Sequence, residues 1–253
     1  MPLSSFPPAD RTILGLNAWK QSGKDELAAM LVRDFGFVRI AFADALYEEA
    51  ANAFGISVER LKALKAAGEN TPVAELALIN CGDQAFIETM LRVHGVDTDN
   101  LIEIERAMAA PRSFRADTLQ PWGTEYRRSQ NPRYWLDRAL DKVAACAPAP
   151  VVIMDVRFNN EWDLVEGELG GRMIRIVREK VDRAMREAVA RGDKFAVHPS
   201  EVEVADRPAS LVIKNPEGAP QEMVGQLLAA LPPHVLMGQS APEPERRACQ
   251  GLR

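Results

Sequence analysis

Between the apolar run Thr12-Ile13-Leu14-Gly15-Leu16-Asn17 and a helix-forming run that opens Asp25-Glu26-Leu27, the chain reads Ala18-Trp19-Lys20-Gln21-Ser22-Gly23-Lys24-Asp25. Its Gly-Lys pair sits where the phosphate-binding pattern G-x-x-x-x-G-K-[ST] requires it, between a strand and a helix. The chemistry needs a loop whose N–H groups turn inward at the N-terminus of a helix, and a lysine long enough to reach the β- and γ-phosphates. Ala18, Lys20, Ser22, Gly23, Lys24 and Asp25 are the candidates for that work. Two positions depart from the pattern. Ala18 replaces the first glycine, which a negative φ tolerates. Asp25 replaces the hydroxyl that would hold Mg²⁺, and an acid can hold the ion through a water. Taken alone, the loop reads equally well as a Gly-Lys turn capping an ordinary βα unit.

A second apolar run, Val151-Val152-Ile153-Met154, is closed by Asp155. An acid there would sit at the carboxyl edge of a sheet, beside the loop, and could organise Mg²⁺. Many strands end in Asp, so this signal gains its weight from the upstream loop. Arginine supplies the third signal: Arg112, Arg115, Arg127, Arg128 and Arg133 crowd residues 111–133 of an otherwise acidic chain. Phosphoryl transfer is mostly positioning and charge neutralisation, which arginine performs well. Arg115, Arg127, Arg128 and Arg157 are expected near strand ends or in loops. Arg178, Arg183 and Arg186 follow the fourth strand, where a lid could close over ATP. Each arginine singly reads better as a solvated surface residue; the cluster is harder to dismiss. Asp44, in Phe42-Ala43-Asp44, either orients or deprotonates an acceptor or caps the helix that follows. His198, in His198-Pro199-Ser200-Glu201, is the one histidine in an informative setting, since His94 and His234 look like surface positions.

The elements that must hold these residues are legible as five short apolar runs, at 12–17, 37–42, 151–155, 173–177 and 211–213. They alternate with helical stretches at 25–32, 45–54, 134–145, 161–169, 181–190 and 221–231. Strands that are apolar throughout, alternating with helices, indicate a parallel sheet covered on both faces. The expectation is an α/β three-layer sandwich of the P-loop kinase type, about five-stranded. A helical insertion falls at about 57–133 and a lid at about 178–205. Gly68, Pro72, Gly82 and Gly95 break residues 57–110 into short helices. Residues 1–11 read as loose, 12–231 as the domain, and 232–253 as a disordered tail.

With 253 residues, 47% of them apolar and 26% charged, the chain can build a sizeable core. A net charge of −5 offers no bulk electrostatic reason to bind DNA or an anionic membrane. Cys81, Cys146 and Cys249 are odd in number and far apart, which indicates neither a zinc site nor a disulfide framework. There is no signal-peptide pattern and no apolar run of membrane-spanning length, so a cytoplasmic protein is expected.

In several separated segments the chain resembles the bacteriophage deoxynucleoside monophosphate kinases, within the P-loop nucleotide kinases. Ser22-Gly23-Lys24-Asp25 carries the family's GKD variant, though Glu26 stands where Thr is usual. Leu119-Gln120-Pro121-Trp122-Gly123-Thr124-Glu125, with Tyr134-Trp135 downstream, is similar to its "LQ-x-x-G-T" segment. Asp155-Val156-Arg157 with Glu161 resembles its "D-x-R-x-x-x-E" segment. His198-Pro199-Ser200-Glu201 and Ile213-Lys214-Asn215 resemble its "H-x-[ST]-E" and "I-x-N" segments. The likeness spans about residues 12–231, with the stretch 57–110 matching only in being helical.

The resemblance implies ATP as donor, Mg²⁺ as cofactor and a deoxynucleoside monophosphate as acceptor. It also implies that the inserted helices form the acceptor site and that Arg127, Arg128 and Arg157 face it, while Arg178 and Arg183, placed after the fourth strand, remain the candidates for ATP. If phage-encoded, the enzyme would work in the cytoplasm of an infected bacterium. The oligomeric state is left open, a homodimer included. Related phage enzymes phosphorylate the hydroxymethyl group of 5-hydroxymethyluracil in DNA. That alternative would lean on Asp44 as a base and on phage DNA as the partner. A third reading is an ATP-binding module without an acceptor, against which the arginine-rich insertion counts.

The tail carries four prolines, scattered charge and no periodic apolar face. Truncation after Leu231 is expected to leave folding and activity intact; a shortened chain that aggregates would show that the tail packs on the domain.

Overall fold

The computed structural model describes residues 11–193, 202–217 and 219–231. The N-terminal residues before Arg11, the His198–Glu201 segment, the middle of the expected lid and the tail lie outside the described residues. In chain order the elements are β1 (Ile13–Asn17), α1 (Lys24–Phe35), β2 (Val38–Ala41), α2 (Phe42–Ala53), α3 (Val58–Ala67), β3 (Pro72–Val73), α4 (Gln84–Val93) and α5 (Leu101–Ala109). There follow β4 (Arg112–Ser113), α6 (Tyr134–Ala145), β5 (Val151–Met154), α7 (Asn159–Asp163), β6 (Arg172–Val177), α8 (Glu179–Ala190), β7 (Leu211–Lys214) and α9 (Gln221–Ala230). The chain forms two compact units, one up to Phe42 and from Arg138 onward, the other Ala43–Asp137.

The first unit is built on a five-stranded sheet in the order β2-β5-β1-β6-β7. Every pairing is parallel, with Gly15 opposite Ile153, Asn17 opposite Arg175 and Val177 opposite Lys214. The expected α/β parallel-sheet fold is therefore observed. The central strands β5 and β1 are covered on both faces, whereas the edge strand β7 leaves Val212 52% exposed and β2 leaves Arg39 exposed. On one face Leu14, Leu16, Val152, Met154, Ile174, Ile176 and Ile213 pack with Leu27 and Leu31 of α1 and Met223 and Leu227 of α9. On the other, Ile13, Gly15 and Met173 meet Val165, which belongs to a π-helical turn, Leu164–Glu168, directly after α7. The single helix expected at 161–169 is thus a five-residue α-helix continued by a π-turn.

The second unit is helical with an aromatic centre. Phe86 of α4 lies 4.4 Å from Trp122 and 5.8 Å from Tyr126, centroid to centroid. The short antiparallel pair β3–β4 was not anticipated; two residues per strand carry no periodicity to read. Arg115, Arg127 and Arg128 were expected in loops or at strand ends. They lie instead in π-helical turns, Arg115–Leu119 and Trp122–Arg128. The helix expected to begin after Asp44 starts at Phe42, so Asp44 is in its first turn rather than at its cap.

Adjacent glycines separate two kinds of constraint. Gly170 has φ +61 with open space around it, whereas a Cβ on Gly171 would lie 2.9 Å from the Ile13 carbonyl and 3.0 Å from that of Val165. Gly171→Ala is expected to cost about 1–3 kcal/mol, because backbone must move. Gly170→Asn, which keeps access to the left-handed region, should cost far less. Urea melts of the two variants check the contrast.

Candidate functional site

Because all five strands run the same way, their carboxyl ends open at one edge of the sheet. From β1 the chain enters the loop 18–23. Gln21 has φ +69 and Gly23 φ +96, and such left-handed turns curve the backbone so that successive N–H groups can face one concavity. Gly23 is the N-cap of α1 and, lacking a side chain, offers no cap to the helix's first N–H groups. Asn215, emerging from β7, donates from Nδ2 to the Ser22 carbonyl at 2.8 Å. The indole N–H of Trp19 donates to Asp182 of α8 at 3.1 Å, and Asp182 also accepts from Arg186.

Lys24 begins α1. Loss of water is the largest influence on its ammonium and pulls its pKa below that of an ordinary lysine. Asp155 opposes that shift most strongly, with Asp25 also raising it, while Arg157 and Arg39 lower it further. The loop lysine and the strand-end acid picked from sequence are thus brought within electrostatic reach of each other. Arg39, on β2, joins the cluster although nothing in the run Val38–Ala41 marked it, beyond a cation within apolar residues.

Asp155 directly follows β5 and has φ +53. A left-handed residue other than glycine costs about 1 kcal/mol, and such strain collects at functional sites. The segment after it is pinned by Glu161, which is 1% exposed and accepts the backbone N–H groups of Arg157 at 2.8 Å and Phe158 at 3.2 Å. Asn17 ties neighbouring segments together. Its amide donates to the Val156 carbonyl at 2.9 Å, and its oxygen accepts from Arg175 at 3.1 Å. Asn17, Ala18, Trp19, Arg157, Arg175 and Asp182 are among the residues lining an open cleft at this edge.

The remaining candidates of this unit are dispersed. Arg178 is the N-cap of α8 and lies 3.8 Å from Glu26 of α1. Arg183 is exposed on α8, and Lys20 is exposed in the loop. Asp25 is exposed in the first turn of α1, where the helix dipole favours an acid. Among the described residues no three His, Cys, Asp or Glu groups gather to hold a metal.

Asp44, Arg127 and Arg128 belong to the other unit. Arg127 is fastened there by its own neighbours. Nε donates to Glu49 at 2.9 Å, NH1 donates to the Tyr126 hydroxyl at 3.1 Å, and NH2 lies 3.7 Å from Asp83. Its guanidinium also lies 4.3 Å from the centre of the Tyr126 ring and 4.9 Å from that of Tyr134. Glu49 additionally accepts from the Trp122 indole and the Tyr134 hydroxyl. Burial and the bond to Asp83 push the Tyr126 hydroxyl up to about 12, so it remains a donor at neutral pH. Sequence reasoning singled out the arginine but not Glu49 of α2 or Asp83, the N-cap of α4, because neither an acid on a helix nor one at its cap announces a distant partner. Trp135 donates its indole N–H to the Gly123 carbonyl at 3.1 Å, which gives the Trp downstream of "LQ-x-x-G-T" a physical task.

No family model matches the chain. A protein of Acanthamoeba polyphaga mimivirus, provisionally named a deoxynucleotide monophosphate kinase, is 30% identical over 193 residues, covering 76% of this chain and 81% of that protein. The crystal structure of TT1252 from Thermus thermophilus aligns over 91% of this chain and 99% of its own at 20% identity. Its TM-score of 0.39 is too low to carry an argument.

A dehydrated cation has a measurable consequence. With its pKa lowered, Lys24 in the folded chain binds fewer protons than in the unfolded chain between the lowered value and the ordinary lysine value. Stability contributed through this group therefore rises with pH across that alkaline window and is at its lowest below it. Replacing the ammonium by an uncharged chain of similar length removes the penalty. Lys24→Met is expected to melt no lower than the parent at pH 7 without ligand, and to lack the part of the alkaline rise that Lys24 supplies. A melting point several degrees lower would show that the lysine supports the fold.

Proposed function

The chain belongs to the deoxynucleotide monophosphate kinases, and from that premise we propose that it transfers the γ-phosphoryl group of ATP to a deoxynucleoside monophosphate, yielding ADP and a deoxynucleoside diphosphate. The observation that carries the proposal is the grouping of Lys24, Asp155 and Arg157 beside a helix N-terminus that has no side-chain cap. In the transfer an oxygen of the acceptor phosphate bonds to the γ-phosphorus as the bond from that phosphorus to the β–γ bridging oxygen breaks. Both phosphates are ionised, so no proton must move, and catalysis reduces to alignment and charge stabilisation.

Lys24 suits that task because its ammonium has already lost much of its water and pays little further dehydration on meeting phosphate. The N–H groups of loop 18–23 and the first turn of α1 add dipoles of the same sign. Arg157 neutralises charge on the transferred group, and Lys20, Arg178 and Arg183 serve the phosphates of ATP. The chemistry a bound Mg²⁺ would supply here is neutralisation of phosphate charge. Asp155 and Asp25 would hold it, Asp25 through water. Two acids suffice for an ion that takes most of its ligands from phosphate and water.

On the acceptor side, Arg127 and Arg128 are the proposed phosphate partners. Arg127 is already immobilised by Glu49 and Tyr126, so little of its rotamer freedom remains to be lost on binding. A phosphate acceptor has no proton to give up, so Asp44 orients rather than deprotonates. Changing Arg127 to Ala should raise KM for the monophosphate more than Asp44→Asn does.

The test is to incubate the purified chain with γ-labelled ATP, Mg²⁺ and, in turn, each deoxynucleoside monophosphate and 5-hydroxymethyluracil-containing DNA. Label is expected in a deoxynucleoside diphosphate, and Lys24→Met should slow its appearance by about 10²–10³ or more. Unlabelled nucleotides together with salt-sensitive labelling of the DNA would overturn the reading in favour of a DNA-directed kinase.

A further inference from the structure

Asn215 lies 193 positions from Ser22 in the chain, yet its side chain reaches under the phosphate loop and is 2% exposed. Its Nδ2 donates to the Ser22 carbonyl oxygen at 2.8 Å. The peptide between Ser22 and Gly23 is trans, and in a trans peptide the C=O and N–H point in opposite directions. A carbonyl held toward Asn215 therefore turns the Gly23 N–H the other way. The same amide also fixes what can stand at position 23. A Cβ added to Gly23 would lie 2.0 Å from Asn215 Nδ2, in addition to being strained at φ +96.

The amide is a poor investment in stability alone. Its Oδ1 and the neighbouring Ser22 hydroxyl are both buried with no hydrogen-bond partner among the described residues. An orphaned buried acceptor costs about as much as one buried hydrogen bond contributes. The backbone of residue 215 closes the strand without help from the side chain, since its N–H already donates to the Val177 carbonyl at 2.9 Å. A carboxamide kept under these conditions is better explained by what it orients.

We propose that Asn215 is a positioning residue of the phosphate loop, holding the Ser22 carbonyl back so that the Gly23 N–H faces the nucleotide triphosphate, and excluding every side chain but glycine at position 23. The inference rests on reading loop 18–23 as the seat of the ATP phosphates. Asn215 touches no substrate, so its removal should weaken the donor side and leave the acceptor side alone.

The experiment uses the full chain and three measurements: KM for ATP, KM for the deoxynucleoside monophosphate, and calorimetric affinity for inorganic tripolyphosphate. Asn215→Ala loses the donor, and Asn215→Asp, of the same volume, replaces it with an anionic oxygen facing a carbonyl. Both are expected to raise KM for ATP and weaken tripolyphosphate binding about tenfold, the loss of one buried hydrogen bond, with KM for the monophosphate within about twofold. Gly23→Ala should cost less ATP affinity in the Asn215→Ala background than in the parent, because the atom it collides with is gone. Unchanged tripolyphosphate binding, an additive cycle, equal rises in both KM values, or failure of both variants to fold would each overturn the inference. A parent that binds tripolyphosphate in an Asn215-dependent way but labels no monophosphate would sink the kinase reading and leave this one standing. A parent that binds no tripolyphosphate sinks both.

Discussion

Parallel pairing is the constraint on which the rest of this structure depends. It requires each strand to be followed by a crossing segment before the next can begin, and it delivers every strand's carboxyl end to one edge of the sheet. The loop after β1, Asp155 after β5, Arg178 after β6 and Asn215 after β7 come from four separate stretches of chain. They share that edge because the hydrogen-bond ladder leaves them nowhere else to go. The core secures the arrangement: Leu14, Leu16, Val152, Ile174 and Ile213 are fully buried or nearly so, and helices α1 and α9 pack on the face they share.

Polar side chains then do locally what the ladder does globally. Asn17 links β1 to the segment after β5 and to Arg175 of β6, so three adjacent strands are tied just where they end. Glu161 fixes the backbone after Asp155, and Asn215 fixes the loop itself. None of these three residues was marked as a site residue by its type, although Glu161 and Asn215 fall within segments of the family likeness. They bear on the loop and on Asp155 through backbone groups. Their effect is a matter of where a carbonyl or an N–H points, which composition and spacing do not encode.

That distinction describes how much was legible in the sequence. The five strands were readable because each is a short, mostly apolar run, interrupted in β2 and β6 by a single internal arginine, a property of the residues themselves. Lys24 and Asp155 were readable because their places follow from those strands. Helix α2 was misjudged by a few residues because Asp44 is equally at home at a cap and in a first turn. The region Arg115–Arg128 looked like loop because π-helical turns have no sequence period to recognise. The network of Glu49, Asp83, Tyr126 and Arg127 joins residues up to 78 positions apart, so it becomes visible only once the chain is folded.

Glu161 has one more consequence. Both α1 and α7 begin after strands that end on this edge. Just ahead of α7 the N–H groups of Arg157 and Phe158 are occupied by the helix's own Glu161, and the first N–H inside it, that of Asn159, donates to Glu203 at 2.7 Å. At α1 glycine caps nothing, Asp25 is exposed and Glu26 lies 3.8 Å from Arg178 rather than over the helix's first N–H groups. The protein has thus stoppered one helix entrance with carboxylates of its own and left the other without a side-chain stopper, so two neighbouring entrances of like origin differ in what they leave open.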